Sequence, residues 1–304
     1  MLLKNKSWLA LLVTAFTVSS CEKTIRLAVE DVPSKVVVDA SIEDKQFPVV
    51  ILSNSLNYFG KITHEELAAS FIHGASVDIS NGEITHRLKE YQVKDDSTGY
   101  VAYYYTIDSS NLATAFTGEQ NGHYSLSVEV PGGNKYTAVT SIPLLAKTCD
   151  SMWWLPAPAA VNNPAMVKVM GRFTDPKGYG NYVRVFTKTN SEPFYPEYNS
   201  AFDDQFTDGT TYEFQIDKSY RRNSRPDSVS TETAAYFRRG DTVTLKFCNI
   251  DKATFDFWRT WDYSEETNGN PFSSPVKVIS NISNNGLGAF CGYAVQYKTL
   301  VIPK

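Results

Sequence analysis

The chain has 304 residues, of which 13% are aromatic, 20% are charged and four are cysteine, and its formal net charge is −4. That acidic balance argues against a nucleic-acid partner, which would show as a basic stripe. The length fits two domains of ordinary size or one large β domain, and the 18 tyrosines and 17 phenylalanines suit packed strand surfaces.

The first twenty residues follow the order of an export signal. Lys4 and Lys6 supply a basic start, and Trp8 to Phe16 form an apolar run interrupted only by Thr14. That run is too short to span a bilayer, which takes roughly 20 apolar residues. Val18-Ser19-Ser20-Cys21 then places an aliphatic and two small residues before a cysteine, the order of a bacterial lipobox. The expectation is cleavage before Cys21 and acylation of its thiol. The plainer alternative is an ordinary secretory signal or N-terminal anchor with Cys21 incidental. Several acyl chains on one cysteine anchor stably, since each buried methylene contributes roughly 0.8 kcal/mol and one chain alone is marginal. Removing residues 1–20 leaves 284 residues and, with Lys4 and Lys6 gone, a charge of −6.

After a tether over residues 21–34, Val36, Val38, Ala40 and Ile42 alternate with Val37, Asp39 and Ser41, the period of a half-buried strand. A polar turn at Glu43 to Gln46 leads into a second apolar run, Phe47 to Leu52. His64 to Ile72 fits a short helix or a loop. Ala75 to Ser80 and Ile84 to Leu88 flank Asn81-Gly82, a type I′ hairpin signal because both central residues of that turn need positive φ. Tyr100 to Ile107, Tyr124 to Val130 and Tyr136 to Ile142 complete a set of short strands. Together they predict an immunoglobulin-like or transthyretin-like β-sandwich over residues 35–145.

Prolines 143, 156, 158 and 164 enclose Trp153-Trp154, so residues 146–165 read as a linker and 166–304 as a second β-rich domain. Its strand-like runs are Met166 to Phe173, Tyr182 to Thr189, Thr211 to Ile216, Thr242 to Phe247 and Ala289 to Ile302. One segment is helical: Asp251 caps Lys252 to Asp262, where Ala253, Phe257, Trp258 and Trp261 recur at helical spacing and are expected as core against a sheet. Trp153 and Trp154 are expected at an interface between the two domains.

Catalytic signatures are missing from the sequence. All four histidines lie before residue 124, and neither a nucleophile elbow nor a phosphate-binding glycine loop occurs. No enzyme, cofactor or metal is therefore expected. A hydrolase would need an apolar cleft holding perturbed carboxyls. Asp203, Asp204 and Asp208 lack the ordered spacing of a calcium loop and read as a solvated turn. Cys149, Cys248 and Cys291 remain after lipidation, in a compartment that permits disulfides. Cys248 and Cys291 sit in strand-like runs and could pair across a sheet, and are otherwise buried thiols.

Several stretches, taken in order, form a pattern: Cys21-Glu22-Lys23, Val36 to Ala40, Asp175-Pro176-Lys177-Gly178 with Asn181 to Val185, Gly240 to Val243 leading to Phe257-Trp258, Asn270-Pro271-Phe272, Ser280-Asn281-Ile282, and Gly286 to Phe290 with Gly292-Tyr293. The series resembles the Bacteroidetes outer-membrane lipoproteins grouped as domain of unknown function 4249. The resemblance spans nearly the whole mature chain and supplies no activity. It implies a lipid-anchored outer-membrane protein, on the cell surface or the periplasmic face, often encoded beside a TonB-dependent transporter. Cys291 stands where a small residue such as glycine is expected. The same lineage glycosylates exported proteins at Asp, Ser or Thr, then an aliphatic residue, Met or Thr, which marks Ser97, Ser151, Ser228 and Thr242 as acceptors. The expected function is a binding or accessory module of a TonB-dependent uptake system; the alternative is a structural or adhesive surface protein.

Overall fold

The computed structural model describes residues 33–56, 63–95, 99–221, 233–267, 273–274 and 276–304. As expected, the chain is mainly β. Its strands are β1 (Val36–Glu43), β2 (Val49–Asn54), β3 (Ser76–Ser80), β4 (Thr85–Lys94), β5 (Val101–Ile107), β6 (His123–Glu129), β7 (Lys135–Ser141) and β8 (Thr148–Pro156) in the first half. The second half adds β9 (Met166–Thr174), β10 (Tyr182–Thr189), β11 (Tyr195–Phe202), β12 (Thr211–Ile216), β13 (Phe237–Arg238), β14 (Thr242–Ile250) and β15 (Leu287–Val301). Two helices accompany them, α1 (His64–Ser70) and α2 (Lys252–Thr267).

Eleven strands join in one sheet of order β11-β10-β14-β15-β1-β2-β5-β4-β3-β6-β7. β4 bends the sheet, because Thr85 to Arg87 pair with β3 while Leu88 to Lys94 pair with β5. The sheet curls until β7 backs onto β15, where a Cβ added to Gly292 would lie 2.3 Å from the Ser141 carbonyl oxygen. The enclosed core holds the inward residues of β1 (Val38, Ala40, Ile42), Leu126 and Val128 of β6, and Phe290 of β15. At the other end, β8 and β9 with β12 and β13 form a small second sheet, whose Val167, Val169 and Phe173 meet Val243, Leu245 and Phe247 of β14. Even-numbered β14 residues face the opposite side, so Cys248 and Ile250 receive Phe255 and Phe257 of α2.

Local chemistry explains the helix ends. Thr63 and Glu66 form a reciprocal capping box at α1. Asp251 Oδ1 accepts from the Thr254 N–H at 2.8 Å at the start of α2, and its Oδ2 accepts from the Ser141 N–H at 2.9 Å, which ties the helix to β7.

Several expectations need correction. Residues 34–304 form one unit, not two domains. β15, the last strand, pairs parallel to β1, the first, with Val37 opposite Leu287 and Glu43 opposite Tyr293, and so continues one sheet through both halves. The stretch expected as a linker contains β8, which pairs along β9, and Trp153 and Trp154 lie on it. Trp154 packs on the small sheet's core, while Trp153 lies beneath Arg172, its ring centroid 6.0 Å from the guanidinium carbon. The turn at Asn81-Gly82 is a four-residue loop, since Ser80 pairs with Thr85. Only Gly82 has positive φ (+92°), and the Asn81 side chain accepts from the Glu83 and Ile84 N–H groups instead.

The Cys248–Cys291 pairing also fails. Both side chains belong to the core beneath α2, but Cys248 stands opposite Val295, four residues from Cys291 along the strand. That offset is about 13 Å, beyond the roughly 7 Å limit between disulfide Cα atoms. Cys149, Cys248 and Cys291 are free, buried thiols.

Candidate functional site

The outer face of the large sheet carries a cavity of about 610 Å³ between α2, β1, β10 and the start of β15. Strand alternation builds its floor. Even residues of β1 enter the core, so Val37 and Asp39 point outward, beside Leu287 and Ala289 of the parallel strand. The close approach of these strands requires glycine at 288, where φ is +88° and a Cβ would lie 2.1 Å from the Val38 carbonyl oxygen. α2 supplies the wall with the adjacent Phe257 and Trp258 and, one turn on, Trp261.

Two ionisable groups of opposite sign interrupt this apolar lining. Arg184 projects from β10 and is only 4% exposed. Its Nε donates to Ser200 Oγ (3.2 Å) and its Nη1 to the Tyr293 hydroxyl (3.0 Å). Asp262 of α2 holds Ser200 in turn, accepting from its N–H at 2.7 Å and its hydroxyl at 2.9 Å. The guanidinium lies over the Trp258 ring, its carbon 3.2 Å from the centroid, and the Trp258 indole N–H donates to the same Tyr293 hydroxyl at 3.0 Å. Burial holds the Tyr293 hydroxyl well above its ordinary pKa, so it stays protonated in this network. Among the described residues Nη2 has no hydrogen-bond acceptor, and no carboxylate comes within 4.0 Å of the guanidinium nitrogens.

Asp39 is exposed to the solvent of the cavity, with protein packed around the cavity's floor and walls. Desolvation by the surrounding protein raises its pKa, and the positive Arg184 opposes the rise. Its carboxyl accepts no hydrogen bond from the described residues. The cavity therefore has the apolar cleft and the perturbed carboxyl that hydrolysis would need. It pairs that carboxyl with no second proton-transfer group among its described lining residues. Ser280, the one hydroxyl there, donates to the Gly288 carbonyl at 2.7 Å. The arrangement can bind and orient a small molecule by contact and charge.

The sequence had placed Trp258 and Trp261 in the core. They pack on it, but half-buried, and face the cavity as well. Asp39 and Arg184 were not singled out. A sequence signal for Arg184 exists: alternation puts this charged residue on the same face as Tyr182 and Phe186, with Val183 and Val185 on the other, so the strand offers it no evidently solvated side.

The acids at 203–208 act as a clamp between loops. Asp204 Oδ2 accepts from the Gly180 and Asn181 N–H groups, and Asp208 Oδ1 from that of Gly178. Among the described residues no group of three potential metal ligands comes together. Ser151 lies half-buried on β8 and Thr242 half-buried at the start of β14; Cys21, Ser97 and Ser228 lie outside the described residues. No helix of the described residues is long and apolar enough to cross a membrane.

Fold and site together define a mainly β protein that holds an aromatic-walled, charge-bearing cavity between a helix and the outer face of a large curled sheet. The chain belongs to the family described as Domain of unknown function (DUF4249), whose model matches residues 22–299. Among curated proteins no relative matches the chain.

Proposed function

We propose that this protein is a non-enzymatic binding module of the cell envelope, anchored by lipid on Cys21 in the outer membrane, which captures a small nutrient and delivers it to a TonB-dependent transporter. The observation that carries the reading is the cavity beneath α2. A cavity of 300–1,000 Å³ with apolar walls and a few convergent polar groups is the usual form of a small-molecule site, and this one adds a buried guanidinium with an open edge. The lipobox at Val18 to Cys21 supports the anchor, as does a family match that begins at Glu22.

The test is palmitate labelling of the native host carrying wild type or Cys21→Ala, followed by cross-linking and detergent extraction. We expect labelled wild-type protein to co-purify with a TonB-dependent transporter, and labelling to vanish in the variant. Undiminished labelling of the variant would overturn the anchor, and repeated recovery without any transporter would overturn the uptake role.

A further inference from the structure

The charges of the cavity specify its ligand more closely, on the premise that it is a binding site. Most approaches to Arg184 are occupied: its guanidinium carbon lies over the Trp258 ring at 3.2 Å and 4.6 Å from the Phe186 ring centroid, and Ser200 and Tyr293 take the Nε and Nη1 edges. The Nη2 edge remains, and it suits an acceptor of negative charge, since a charge-assisted hydrogen bond is roughly twice as strong as a neutral one. Asp39 also lines the cavity, electrostatically coupled to Arg184 but not within ion-pairing distance. An anion alone would be attracted by Arg184 and repelled by Asp39, and a cation alone would meet the reverse. A molecule with both charges satisfies each and leaves the site neutral.

A sugar fits less well. It would stack on an open aromatic face, but the Trp258 face is filled by Arg184. Trp258 also meets Phe257 and Trp261 edge to face, at centroid distances of 4.8 and 5.6 Å, so these rings do not offer a flat shared platform.

We propose that the cavity takes a zwitterionic amino compound, an amino acid or short peptide with an apolar or aromatic side chain. Its ammonium lies at Asp39, its carboxylate at Arg184 Nη2, and its side chain against Trp261, Val37 and Leu287.

Isothermal titration calorimetry of the full chain in detergent tests this with L-phenylalanine and the dipeptide Phe-Leu, each against its N-acetylated and C-amidated form, and with 2-phenylethanol and glucose. At least one zwitterion should bind ten times more tightly than both of its blocked forms. Asp39→Asn should remove most of the preference for the free ammonium, while the preference for a free carboxylate over the amide persists. Blocking the ligand tests the Arg184 side without disturbing the Ser200 and Tyr293 bonds that a substitution there would break. Equal binding of free and blocked forms, or binding of only 2-phenylethanol or glucose, overturns the zwitterion and leaves the cavity a binding site for another class. No heat from any probe at millimolar concentration also overturns it, while the transporter experiment decides the uptake reading separately.

Discussion

Lys147 and Asp175 form an ion pair with almost no access to water, and replacing the lysine alone should be among the most damaging single changes in the fold. The Nζ–Oδ2 distance is 2.8 Å and the side chains are 1% and 0% exposed. Thr207 completes the triangle: its Oγ1 accepts from Lys147 Nζ at 3.0 Å and donates to Asp175 Oδ2 at 2.7 Å, while Asp175 Oδ1 has no partner. Lys147→Met keeps most of the side chain's unbranched length but leaves Asp175 buried without its counter-charge. Removing one partner of a buried pair costs about 3–5 kcal/mol, against a total stability of about 5–15 kcal/mol for a typical protein. Equilibrium urea unfolding followed by circular dichroism should show a loss of that size with an unchanged slope. The double variant Lys147→Met/Asp175→Leu removes both charges and should regain most of the loss, because well-packed apolar replacements of buried pairs are often neutral or better. A single-variant loss below about 1 kcal/mol, or a double variant no better than the single, would refute the reasoning that an unpaired buried carboxylate dominates the cost.

Three further outcomes follow from the same structure. Burial, with the nearby Asp217 carboxylate adding to it, raises the Glu197 carboxyl to about 8. The folded state therefore holds this proton more tightly than the unfolded chain, and the stability it contributes is present below the ordinary value of 4.5 and lost as pH rises through about 8. Glu197→Gln should flatten the decline in unfolding free energy between pH 5 and pH 8, by up to about 1.4 kcal/mol per pH unit; parallel profiles for the two proteins would count against it. Burial pushes the Cys149, Cys248 and Cys291 thiols up to about 11, 12 and 11, so all three should resist a maleimide at pH 7.5 in the folded protein and react after denaturation. Rapid native labelling of Cys248 or Cys291, or a disulfide found in the intact mass, would contradict this. Gly292→Ala would place a methyl group 2.3 Å from the Ser141 carbonyl oxygen and force β7 away from β15; a loss of about 1–3 kcal/mol is expected by thermal unfolding, and wild-type stability would show that the strands separate freely.

Much of the local structure was legible in the chain. Period-two patterning marks β1, β6 and β7, and Asp251 followed by apolar residues at helical spacing marks α2. β11 was hidden because Pro196 and its polar neighbours break the pattern; as the edge strand of the large sheet it tolerates a residue that lacks a donor. β8 was hidden for a related reason: prolines 143, 156, 158 and 164 mark the surrounding loops, yet residues 144–155 contain none and are free to pair.

The sequence by itself determined a mainly β chain whose strands and aromatic helix follow from side-chain periodicity, capping and turn chemistry, all of which act over a few residues. Only the tertiary structure decided that β15 returns beside β1, because a parallel pair separated by most of the chain leaves no local trace. That return merges the halves, sets Leu287 and Ala289 next to Val37 and Asp39, and brings Arg184 from β10 beneath the tryptophans of α2. Alternation along β1 says that Asp39 faces away from the core. What covers that outer face depends on contacts between residues far apart in sequence, and there the candidate site forms.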